Sequence, residues 1–228
     1  MATMPELIAV LAEHRVDSNA TLELFGRRLR EAGRVTKGKR GRGAAHMSYL
    51  DAARFLIACA ATDHPERAVD AESEHSAFGA SHITKSDASP SQMALEPLTS
   101  LGQGLAKLLE WIANGIIDEE AASQQKARHP DWEAHGIRVA PTIEFRLWRG
   151  RTAIVRVLDL HAVFHHPALI AMVGSIGPEG GGYPVQKVAQ EAFERESRRF
   201  ATGKNIAIEF RPELLRAVAS LIGPHGND

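Results

Sequence analysis

Residue types able to do chemistry fall into four groups in this 228-residue chain. His161, His165 and His166 stand in LHAVFHHPALIAMV, an H-x3-H pair with a third histidine beside it. On a helix His161 and His165 share a face, and with Asp159 nearby they offer nitrogen and oxygen ligands for zinc. The surroundings argue otherwise. They are apolar, no H-E-x-x-H occurs, and one cysteine cannot supply a thiolate pair. A core segment with histidines at its edge is the better reading, and a metal-dependent enzyme using His161 and His165 is kept as an alternative. Cys59, in an alanine-rich apolar stretch, reads as a small buried hydrophobe and not as a nucleophile. The GPEGGG run at 177–182 has no G-K-[ST] after it and no G-x-G-x-x-G following a strand, so it reads as a loop. No G-x-S-x-G occurs. No catalytic residue, cofactor or metal is expected, and the chain is read as a non-enzyme.

The fourth group is basic. From Arg27 to Arg42 there are eight Lys or Arg and one acid, Glu31. Residues 1–46 hold nine basic and five acidic side chains, residues 47–135 six and fourteen, and residues 136–228 twelve and nine. The overall charge of −1 therefore conceals a cationic start and an acidic middle. Clustered cations of this kind neutralise phosphates, and the asymmetry points to a polyanionic partner.

Two short helices must carry that cluster. Pro5, Leu7, Ile8 and Leu11 predict a helix over 5–14. Asp17, Ser18 and Asn19 make a polar turn with capping potential. Leu22, Phe25 and Leu29 predict a second helix over 21–32, with Arg27, Arg28 and Arg30 spread over its other sides and Gly33 ending it. The following RVTKGKRGRGAA reads as a flexible loop or the wing of a hairpin. The turn between the helices holds no glycine, which leaves Asp17 or Asn19 to take any left-handed conformation.

Together, the helix pair and the stretch RRLREAGRVTKGKRGRGAAHMS resemble the helix-turn-helix or winged-helix DNA-binding domains of bacterial and phage proteins. The resemblance covers about a fifth to a quarter of the chain, ending at Ser48. It implies that Asn19, Thr21, Glu23 and Arg27 probe bases. Arg28 and Arg30 would lie on phosphates. Lys37, Lys39, Arg40 and Arg42 would follow the backbone or enter the minor groove, and Arg34 belongs to the same DNA-binding set.

The remainder predicts an α+β fold: a helical N-terminal half and a small C-terminal sheet, a β-hairpin plus a strand, with helices. Helices are expected over 48–61, 65–74, 98–116, 118–126, 185–200 and 212–222. Alternation of apolar and polar residues over 137–148 and 152–158, around Arg149-Gly150-Arg151, predicts the hairpin, and 206–210 a further strand. Residues 161–173 are compatible with helix or strand. The expected organisation is a DNA-binding domain at 1–75, a linker or long loop at 76–97, and an oligomerisation or partner-binding domain at 98–228. The expected function is sequence-selective binding of double-stranded DNA, as a bacterial or phage transcriptional regulator acting as a homo-oligomer, a dimer being favoured. A phage DNA-packaging protein like a small terminase subunit is an alternative. No apolar run reaches the roughly 20 residues of a membrane span, and the first residues lack the layout of a signal peptide, so a cytoplasmic location is expected.

Overall fold

A computed structural model describes residues 2–37, 46–84, 99–132, 135–175, 182–197 and 205–223. The helices are α1 (Met4–Glu13), α2 (Asn19–Glu31), α3 (Tyr49–Ala61), α4 (Ala68–Ser76), α5 (Leu101–Ala113), α6 (Ile116–Arg128), α7 (Pro167–Gly174), α8 (Gly182–Ser197) and α9 (Pro212–Ile222). A single 3-10 turn, Pro65–Arg67, precedes α4. The strands are β1 (Gly79–Thr84), β2 (Ile143–Trp148), β3 (Thr152–Val157), β4 (Leu160–His165) and β5 (Ala207–Phe210). They form one antiparallel sheet in the order β1-β4-β3-β2-β5. The class is α+β, as its sequence patterns predict.

Side-chain alternation fixes which face of the sheet is covered. Ile143, Phe145 and Leu147, Ala153, Val155 and Val157, and Leu160, Ala162 and Phe164 are all buried. Their neighbours in β2 and β4 are half-buried, and β3 exposes Arg156. Helix α5 packs on β3 and also meets α3, α4, α6 and α9. It comes close enough to the sheet that a Cβ on Gly104 would lie 2.7 Å from Phe164 Cζ. Glycine is therefore needed there for packing and not for backbone freedom.

Residues 79–84 are a strand, although the sequence places them in a linker. β1 pairs with β4 through a bulge between Ala80 and His82. Its residues are small or polar because three of its six positions face solvent, so the apolar signature of a strand is missing. Residues 137–142 depart the other way, since the expected strand begins only at Ile143. In place of a strand partner the Gln125 side chain serves the backbone: its amide donates to Ile137 O and its carbonyl accepts from Val139 N. The ambiguous stretch 161–173 holds both structures, with β4 ending at His165 and α7 starting at Pro167.

One cluster of buried side chains runs from Ala2 to Ile222. It includes Leu7 and Leu11 of α1, Leu22, Phe25 and Leu29 of α2, and Leu215 and Val218 of α9. Helix α9 packs on α1, and the Tyr49 hydroxyl at the start of α3 donates to Gly223 O just beyond α9. The expected units 1–75 and 98–228 thus share a core. Among the described residues no helix is long and apolar enough to cross a membrane.

Candidate nucleic-acid interface

Helix α1 opens with Pro5 in its first turn, and Glu6 Oε2 accepts from the Thr3 backbone N–H and hydroxyl at 2.7 and 2.8 Å. Those two bonds hold the Glu6 carboxyl below its ordinary pKa. The helix ends in a tight reversal: Val16 N–H donates to Leu11 O and Arg15 N–H to Ala12 O, both at 3.0 Å. This is the Schellman pattern, whose left-handed residue is ordinarily glycine. Here it is Arg15, at φ 58°, a conformation costing a non-glycine residue about 1 kcal/mol or more. Neither Asp17 nor Asn19 takes the left-handed position that the sequence left to them.

Ser18 then caps α2, its hydroxyl accepting from Thr21 N–H at 3.2 Å. The buried side of α2 is Leu22, Phe25, Gly26 and Leu29. Gly26 lets the neighbouring helices close in, since a Cβ there would sit 3.2 Å from Met4 Sδ and 3.3 Å from a ring carbon of Phe55. Helix α2 is thereby gripped between α1 and α3, and its other side is presented to solvent. Asn19, Glu23, Leu24, Arg27, Arg28 and Arg30 are all exposed on that side.

The arginines there are weakly engaged. Arg27 and Arg28 each approach Glu31 only to 3.8 Å, with all three side chains about half exposed. Exposed pairs of this type contribute about 0–1 kcal/mol, so little holds the guanidinium groups back from a phosphate. Arg30 Nε donates to Gly26 O within the same helix at 3.3 Å. Asn19 Nδ2 donates to Glu23 Oε1 at 2.8 Å. Thr21 is half-buried, and its hydroxyl bonds to that of Ser18 at 2.8 Å. Its place is in the cap, and not on the outer face where the resemblance would put a base-probing residue.

The chain matches no family model, no curated protein and no solved structure. What the site can do follows from its own geometry.

Arg34 is engaged by a carboxylate of the protein itself. Its guanidinium makes a two-pronged pair with Glu72, which is fully buried, with Nη2 donating to Oε1 at 3.0 Å. The Ser76 hydroxyl and Arg54 complete the surroundings of that carboxylate at 2.6 and 3.8 Å, and Arg54 also donates to Arg34 O at 2.8 Å. The bond to Glu72 raises the Arg34 pKa further. Arg34 thus braces α2 against α4 and leaves the group expected to meet DNA. Two residues on, Thr36 donates from its N–H and hydroxyl to the buried Asp51 at 3.0 and 2.7 Å, and Ser48 N–H and hydroxyl donate to the same carboxylate at 2.9 Å. Lys37 is exposed, with Nζ donating to Glu31 O at 3.2 Å. Lys39, Arg40 and Arg42 lie outside the described residues.

Leu24, whose apolar character predicts a place beside Leu22, Phe25 and Leu29 on the buried side, stands instead on the outer face, being 42% exposed. The signal was available: position 24 precedes Arg27 and Arg28 by three and four residues, the spacing of one helix face.

The histidines do not converge. His161 and His165 open and close the same side of β4, so they stand roughly 13 Å apart at strand rise, too far to share an ion. The expected shared face required a helix. His165 Nδ1 bonds to the Thr152 hydroxyl at 2.9 Å, and burial lowers the His165 pKa. His166 turns inward and its Nδ1 accepts from Ala168 N–H at 3.1 Å. Asp159 accepts from Arg128 at 2.8 Å. Among the described residues no group of three or more His, Cys, Asp or Glu is placed to hold a metal ion. Burial raises the Cys59 pKa far above the ordinary thiol range, which disfavours the thiolate.

Proposed function

We propose that the protein binds double-stranded DNA sequence-selectively through the outer face of α2, as a transcriptional regulator. The observation that supports this is the asymmetry of α2. One side is locked on α1 and α3 through Leu22, Phe25, Gly26 and Leu29, while the other presents Asn19, Glu23, Leu24, Arg27, Arg28 and Arg30 to solvent. A rigidly seated helix with loosely paired arginines is suited to a major groove. In this reading Arg27 and Glu23 meet base edges, Arg28 and Arg30 meet phosphates, and Leu24 touches a thymine methyl group. Lys37 extends the basic surface. A homodimer would set two α2 helices on half-sites about 34 Å apart, whereas a ring of many subunits would favour DNA packaging. Light scattering separates the two.

Because residues 1–46 contribute to the common core, the test uses substitutions in the full chain. Fluorescence anisotropy with random duplex DNA and matched single-stranded RNA across a salt series is the measurement. The unaltered protein should bind duplex with a steep salt slope. Replacing Arg28 and Arg30 with Ala should flatten the slope by about 0.9 for each phosphate no longer neutralised, for every sequence alike. Arg27→Ala should instead change the preference between sequences. Absence of duplex binding at low salt, or an unchanged slope in the double variant, would remove α2 as a DNA-binding element.

A further inference from the structure

A cleft of about 600 Å³ opens where the turn between α1 and α2 faces the end of α3, strand β5 and the start of α9. Its apolar wall comes from Val16, Phe25, Cys59, Ile208, Phe210 and Leu214. Arg15, Arg211 and His14 line it as well. Four carboxylates also line it, and two of these are already committed. Both Asp63 oxygens accept from Arg149, at 2.8 and 2.7 Å, and Glu209 Oε2 accepts from Arg146 at 2.6 and 3.0 Å. Asp17 bonds to the Ser18 N–H at 2.6 Å, and Glu213 sits in the first turn of α9. Arg15 and Arg211, like Asp17 and Glu213, make no ion pair among the described residues.

The backbone marks Arg15 further. It occupies the left-handed position of the Schellman turn at φ 58°, where glycine would be the relaxed choice. Strain of that kind is a pointer to a role for the residue, and Arg15 lines the cleft. Two arginines without ion pairs among residues that line a partly apolar cleft suit a planar anion on an apolar body. We infer that the cleft binds a small monocarboxylate with an aromatic or short aliphatic body. Arg15 and Arg211 hold the carboxylate, and Phe25, Cys59 and Phe210 lie along the rest. Arg15 leads directly into α2, so occupancy would bear on the pose of that helix, and this one consequence rests on the DNA reading. The site itself does not.

Titration calorimetry of the full chain with benzoate, phenylacetate and octanoate tests the inference. Phe25 and Phe210, which line the cleft, supply a local readout through their ring-proton resonances in NMR. The expected result is saturable binding of at least one probe that also shifts the Phe25 or Phe210 ring resonances. Arg15→Gly and Arg211→Gln should each weaken that binding about tenfold or more. Arg15→Gly is the sharper variant because it relaxes the turn, so its melting temperature should be unchanged or higher while the affinity falls. No saturable binding of any of the three probes up to about ten millimolar overturns the inference. Binding that neither substitution moves, or that leaves both ring resonances unaltered, overturns it equally. Duplex binding measured without carboxylate fails or succeeds separately, which keeps this site distinct from the DNA reading.

Discussion

Arginines seven residues apart in this chain have opposite fates. Arg27 ends in solvent with a 3.8 Å approach to Glu31, whereas Arg34 ends on a carboxylate with no solvent exposure. Removing Arg34 leaves Glu72 buried with only Arg54 at 3.8 Å and Ser76 beside it. Arg34→Ala should therefore cost about 2–4 kcal/mol in urea unfolding, while Arg27→Ala should stay within about 0.5 kcal/mol. Equal losses for the two variants would mean that the Arg34–Glu72 pair does not brace α2 against α4. The difference between these arginines was not legible in the sequence. The surface position of Arg27 follows from helical spacing alone, but the partner of Arg34 lies 38 residues away. The left-handed turn was misplaced for a related reason. Gly and Asn are the residues that betray it, and here Arg15 fills the position.

Helices and strands were legible in proportion to how local their causes are. Helix α9 covers the residues expected, because Pro212 opens it and Gly223, at φ 77°, follows its last residue. The β2–β3 hairpin was visible from alternation over adjacent segments. Strand β1 was hidden because its partner β4 lies far along the chain, with Thr84 matched to His161. The meeting of α5 with the sheet was equally hidden, since nothing near Gly104 announces Phe164. That close approach yields a prediction. An alanine in mid-helix ordinarily gains about 1 kcal/mol over glycine. Gly104→Ala should nevertheless lose about 1–3 kcal/mol, since its Cβ would meet the fully buried Phe164 ring at 2.7 Å and force it to shift within the core. Chemical denaturation measures this directly, and a variant as stable as the parent would show that α5 and β4 do not pack so closely.

The molecule as a whole is tied across its sheet by polar groups buried between helices and the β2–β3 turn. His75 of α4 is the central one. Its Nδ1 donates to Ala71 O at 2.7 Å, and its Nε2 accepts from Gly150 N–H at 2.9 Å, which requires the neutral ring. Arg149 of the same turn reaches Ala60 O and Asp63 at the end of α3. Burial is the main cause holding the His75 pKa down to about 4, whereas an unfolded histidine takes its proton near 6.5. Between these values the unfolded chain binds more protons than the folded one, so stability rises with pH across that window. The His75 contribution is complete above about pH 6.5 and is lost as the pH falls toward 4, by up to about 1.4 kcal/mol per pH unit and about 3 kcal/mol in all. Burial of His165 adds in the same direction. The carboxyls of Asp63 and Asp118, held low by their arginine partners, act only at more acid pH. Urea unfolding between about pH 7 and 4.5 should therefore show falling stability in the parent protein. His75→Gln, whose amide can donate to one partner and accept from the other, should be much flatter over the same range. A parent protein with constant stability across that window, or a variant with an undiminished slope, would mean that protonation of His75 is not what loosens the joint between α4 and the sheet.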